Sequence, residues 1–114
     1  MGRIITNARR EQIAQARQER PEAQGPALGE IVIDNNVPVE PVAAILAVSE
    51  PTVYRWMYGH SEPRDADKLQ KMKKLLAILR KAKKAKELPL TGNMKTRIDT
   101  FIELVKKYRN PPAA

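Results

Sequence analysis

Apolar residues recur along much of this chain at steps of three and four, the spacing of a helix with one side turned to a core. The pattern is clearest in the last third. Leu69, Met72, Leu76 and Leu79, with Leu75 beside them, predict a helix over about Asp65–Glu87. Met94, Ile98, Phe101, Val105 and Tyr108, with Ile102 adjacent, predict a second over Asn93–Tyr108, and Asn110-Pro111-Pro112 stops it. Leu88-Pro89-Leu90-Thr91-Gly92 breaks the chain between them. Matching apolar seams and a short connection predict an antiparallel helical hairpin. Those seams either complete the core beneath the preceding segment or pair with another subunit.

Upstream, Val37–Pro63 predicts two short helices joined by a tight turn. The first is Val39–Leu46, with Val42, Ala43 and Leu46 on one side. Ala43 is small enough to let two helices approach near the turn, Ala47-Val48-Ser49. Ser49 is a good N-cap, its hydroxyl placed to accept from a free backbone N–H. Pro51 falls in the first turn of the second helix, Glu50–Tyr58, where a missing N–H is harmless. Val53 and Trp56 face inward, and Gly59 ends the helix at the position glycine favours.

The first third is less regular. Residues 6–20 predict a helix capped by Thr6, with a thin apolar side of Ile5, Ala8, Ile13 and Ala16. It is either a solvated, partly frayed segment or a basic arm of Arg3, Arg9, Arg10, Arg17 and Arg20 that orders on DNA or a protein partner. Pro21 to Gly25-Pro26 carries helix breakers and no apolar period, which predicts a linker. Leu28–Asp34 resumes an apolar run. By position it is a helix, although Ile31-Val32-Ile33 also suits a strand. Asn35-Asn36 is a turn. The expected organisation is an N-terminal basic arm and linker (1–27), a helix-turn-helix domain (28–63) and a basic hairpin (64–114), all-α throughout.

Charge sharpens this picture. The chain has 114 residues and a net charge of +8, from 21 Lys+Arg against 13 Asp+Glu. Between Arg64 and Lys86 stand ten basic residues and only Asp65 and Asp67 as acids, so that block supplies the whole excess. Lys71, Lys74, Lys81 and Lys84 fall opposite the apolar seam, giving an amphipathic helix with a basic face. That face is either solvated or a nucleic-acid contact; the lack of balancing acids favours contact. There is no cysteine, so disulfides and cysteine-rich metal sites are excluded. No apolar run approaches the roughly 20 residues needed to span a bilayer, and no apolar leader predicts a signal peptide.

Val48-Ser49-Glu50-Pro51-Thr52-Val53-Tyr54-Arg55-Trp56, followed by Gly59 and Ser61-Glu62-Pro63, resembles the Cro/repressor class of helix-turn-helix DNA-binding domains. The resemblance covers residues 37–63. It departs from the class at three places. Ala47 stands at a turn position that is usually glycine. Pro38-Val39 replace a polar pair that contacts DNA, and Glu50-Pro51 occupy two positions commonly used to read bases. The resemblance implies a recognition helix at 50–58, with Glu50, Pro51, Tyr54 and Arg55 towards the major groove. Arg55 suits a bidentate contact to guanine O6 and N7, or else pairs with an acid such as Glu62. Ser49, Thr52, Tyr58, His60 and Ser61 are placed to donate to phosphates, which set register rather than sequence.

His60 is the only histidine and has no acid cluster beside it, so neither a metal site nor a catalytic triad is expected. No glycine-rich phosphate loop is present. The expectation is a non-enzymatic protein without cofactor that binds double-stranded DNA, as a homo-oligomer, in the cytoplasm of a bacterium or phage-infected cell. A small transcriptional regulator fits best. The alternative is a phage DNA-packaging or virion component that uses the same frame for assembly.

Overall fold

A computed structural model describes the backbone of residues 2–109 and the side chains of residues 8–109. Among the described residues six helices follow in order: α1 Gly2–Glu19, α2 Gln24–Asp34, α3 Val39–Leu46, α4 Glu50–Met57, α5 Ala66–Lys84 and α6 Met94–Arg109. Among the described residues there is no strand, so the protein is all-α. No described helix is long and apolar enough to cross a membrane.

The packing centre is α2, against which α1, α4 and α5 all lie. Its buried positions include Leu28, Ile31 and Val32, a helical spacing; on a strand Ile31 and Val32 would point to opposite faces. The second half of the segment expected to be a linker is therefore this helix's first turn. Only Pro21-Glu22 form a turn, and Gly25 and Pro26 are buried within α2. Pro26 is tolerated because the first-turn N–H groups have no helical partner to lose. Gly25 is required by closeness: a Cβ there would stand 2.3 Å from the Trp56 carbonyl oxygen at the end of α4.

Helix α1 packs on α2 instead of running free. It starts at Gly2, so Thr6 lies inside it and is not its cap. Ile13 and Ala16 are buried and Ala8 is exposed, while the side chains of Arg3 and Ile5 lie outside the described residues. Arg10 meets Asp34 at 3.7 Å and Arg17 meets Glu30 at 3.7 Å, both reaching α2. Small residues bring α1 to the end of α4, where a Cβ on Gly59 would sit 2.8 Å from that of Ala16.

Four helices end in the same hydrogen-bonded motif. After α2, Val37 N–H donates to Val32 O and Asn36 N–H to Ile33 O. The same pair of bonds closes α3 through Val48 and Ala47, α4 through His60 and Gly59, and α5 through Glu87 and Lys86. This Schellman pairing needs a left-handed residue. Gly59 has φ +78°, but Asn36, Ala47 and Lys86 take φ of +60°, +58° and +63° without being glycine. A Cβ in that region is strained. Ala47→Gly is thus expected to raise stability by about 0.5–1 kcal/mol, since the strain relieved outweighs the added chain entropy. A urea midpoint that falls would refute this.

Asp65 caps α5, its side chain accepting from Asp67 N–H at 2.8 Å. Asn93 does the same for α6, accepting from Thr96 N–H at 2.8 Å. Met72, Leu75, Leu76 and Leu79 are buried on α5 as their spacing requires. On α6 the buried set is Phe101, Leu104 and Val105, whereas Met94 (51% exposed) and Ile102 (39%) stay on the surface. Leu104 was absent from the expected seam.

The connection after α5 also differs from a simple hairpin loop. It carries the chain to the end of α2, where Leu90 N–H donates to Asn35 O at 2.9 Å and Arg97 donates to Asn36 O at 3.1 Å. Glu87, just past α5, meets the last turn of α6 and not its first. Lys107 donates to one of its carboxylate oxygens and Tyr108 to the other, at 2.7 Å for Tyr108.

The Lys107 bond above all, with the Tyr108 bond second, holds the Glu87 carboxyl below its ordinary range. A depressed carboxyl stabilises the fold fully above the unfolded value, about 4.3. That contribution is lost as pH falls through the lower folded value. Glu87→Gln should therefore melt below the wild type at pH 7, and the gap should close as acid protonates Glu87. A gap that is the same at neutral and acid pH would refute the ionic reading.

Candidate nucleic-acid interface

Helix α4 has one buried side, Val53, Trp56 and Met57, and one outward side. Glu50, Pro51 and Arg55 are exposed there, with Thr52, Tyr54 and Tyr58 half-buried beside them. The ion pairs among the described residues are Arg10–Asp34, Arg17–Glu30, Lys71–Asp67 and Lys107–Glu87. Arg55 is in none of them, so the expected alternative partner, Glu62, does not hold it.

Ser49 sits at the N-cap position but does not cap. Its side chain accepts from no backbone N–H of the first turn; its hydroxyl pairs instead with that of Thr52 at 3.0 Å. In a hydroxyl pair one group donates to the other and keeps lone pairs, while the second keeps a free O–H. The two thus present one spare donor at the start of α4, where the helix dipole also favours an anion. His60 and Ser61 are exposed just beyond the helix.

An aromatic row runs along the same side. Tyr54 and Tyr58 stack with ring centroids 5.9 Å apart, and His60 follows at 6.0 Å. Arg9 of α1 lies over the Tyr54 ring, 5.5 Å from its centroid, within cation–π range. Burial raises the Tyr58 phenol above its usual value, against the pull of Arg9, with Tyr54 adding to the rise. A cleft lined in part by Gln12, Gln15, Arg20, Tyr58 and His60 separates α1 from this row. The sequence places Arg9 either on a solvated, partly frayed segment or in a basic arm that orders on DNA or a partner. Nothing in residue spacing signals its place beside α4; that follows from the contact of Gly59 with Ala16.

The start of α3 does not supply a polar contact, since Pro38 is buried and Val39 half-buried. Behind the turn, Lys68 Nζ donates to the carbonyls of Leu46 and Ala47 at 3.4 and 3.0 Å, holding the end of α3. Of the lysines, Lys74, Lys81 and Lys84 are exposed on the outer side of α5. Lys71 lies on its flank, half-buried and 3.3 Å from Asp67. Among the described residues no three of His, Asp or Glu converge as metal ligands.

No family model, characterised protein or solved structure matches the chain. The likeness to Cro/repressor domains therefore stands on the sequence of residues 37–63 alone.

Proposed function

We propose that the chain binds double-stranded DNA with α3 and α4 as a helix-turn-helix, and that it acts as a small transcriptional regulator. In this reading α5 and α6 form the basic pair behind the reading head, and binding occurs as a homo-oligomer. One observation carries the proposal: Arg55 projects from the outward side of α4, outside any ion pair among the described residues, beside the Tyr54–Tyr58–His60 row. An eight-residue helix is about 12 Å long, comparable with the width of a major groove, about 12 Å. Arg55 would discriminate guanine by roughly 1–3 kcal/mol. Ser49, Thr52, Tyr58, His60 and Ser61 would bond phosphates and set register. Dimerisation would let two such helices read half-sites one turn apart.

A second reading has its own support. Glu50 and Pro51 are exposed at the start of α4, where a reading helix meets bases. A carboxylate there is repelled by phosphates, and proline brings no donor. A DNA-packaging or virion protein that assembles through this frame would tolerate both.

The test is selection from a random duplex pool, followed by titration of wild-type and Arg55→Ala protein. A recovered motif whose binding weakens by about 5- to 150-fold in the variant supports sequence reading. Binding indifferent to Arg55 removes the regulator proposal and leaves a charge-driven role. No binding removes both DNA roles and favours assembly.

A further inference from the structure

A groove opens between α3, α5 and α6, away from any contact assigned above except those of Lys71 and Lys74. Its floor is Ile45, Leu75, Ile78 and Val105, and its rim is Lys71, Lys74 and Arg109. No acid lines it. Its volume is about 260 Å³, just under the roughly 300–1,000 Å³ of small-molecule pockets. The floor does not end at the groove. Met94, Ile98 and Ile102 precede Val105 on α6 at steps of four, four and three, one continuous helix side. Met94 and Ile102 are the large apolar side chains most exposed among the described residues. The stripe spans about 16 Å along α6, three helical turns.

We propose that this groove and stripe dock an amphipathic helix of a partner protein, apolar on one side and acidic along its edges. The length and spacing suit a helix laid into the groove with anchors three and four residues apart. The cationic rim selects the sign of the edges. Lys71 is already shared with Asp67, but that pair is solvent-exposed and weak, so a partner carboxylate competes with it readily. Nucleic acid fits less well, because phosphates gain nothing from an apolar floor. A second copy of this chain fits less well too. A two-fold contact here sets the same cations face to face on a chain of +8, although Asp99 and Glu103 flank the stripe along α6. The proposal does not depend on DNA binding.

The test uses the full chain, ¹⁵N-labelled, titrated with a synthetic peptide that carries leucines at helical i, i+4, i+7 and i+11 positions and glutamates elsewhere. Shifts concentrated on the amides of Ile45, Leu75, Ile78, Ile102 and Val105 are expected. Lys74→Glu should weaken binding about tenfold or more, and Lys83→Glu, an exposed change on the same helix outside the groove, less than about twofold. Both changes are at the surface, and thermal melts check that both variants fold. Shifts spread along the lysines or centred on α4, equal losses in the two variants, or no shifts at all overturn the proposal. So do concentration-dependent shifts of the groove amides without peptide, which assign the groove to a second copy.

Discussion

Gly25→Ala is expected to destabilise the protein by about 3 kcal/mol, the upper end of the usual range for overpacking. The added Cβ would stand 2.3 Å from the Trp56 oxygen and 2.8 Å from its carbonyl carbon. Backbone at the end of α4 cannot rotate aside as a side chain can, so α2 and α4 must separate. The sign makes the experiment decisive. At an open helical position the same change stabilises by about 1 kcal/mol, through helix propensity. In a protein of this size the expected loss corresponds to a fall in Tm of roughly 10–20 °C. The Gly29→Ala change should be milder, because its nearest obstacles, Met57 Cβ at 2.9 Å and the Met57 carbonyl oxygen at 3.1 Å, stand farther off than the Trp56 oxygen does from a Cβ at Gly25. A Gly25→Ala protein as stable as the wild type would mean that α2 and α4 do not approach as closely as described. It would then also undercut the placement of Arg55 and Tyr54, which ride on α4.

Where local chemistry decides the structure, the sequence was legible. Val39–Leu46 was bounded correctly, because the apolar side and the turn that follows it are all local. The end of α4 was set by Gly59, the one residue there that takes a left-handed conformation without strain. Other features depend on partners far along the chain. Gly25-Pro26 looks the same in a linker and in the first turn of a buried helix; only the approach of Trp56 tells them apart. The apolar side of α1 looked thin because Ala16 counts little by hydropathy, yet its small size is what admits Gly59. Leu104 displaced Ile102 from the seam because α6 packs against both α3 and α5, and the buried arc turns accordingly. Arg9 over Tyr54 and Lys68 on the end of α3 join residues 45 and about 21 positions apart, beyond the reach of periodicity.

Replacing Lys74, Lys81 and Lys84 together with glutamine is expected to weaken DNA binding by roughly 10²–10³-fold near 0.1 M salt, if all three meet phosphates. Each phosphate contact adds about 0.9 to the slope of log affinity against log salt, so the slope should fall by about 2–3. The loss should be uniform across duplex sequences, because these side chains would touch the backbone and carry no base information. That separates them from Arg55, whose removal should relax preference at one base position with little change of slope. Stability is a poor rival explanation. All three lysines are exposed, and Lys81 and Lys84 lie in the last turn of α5, where removing a cation forfeits about 0.3–1 kcal/mol of dipole interaction. A melt of the triple variant sets that contribution apart. An unchanged slope would return the lysine face to solvent, and any DNA binding that survived would then rest on α4 and the arginines of α1 beside it.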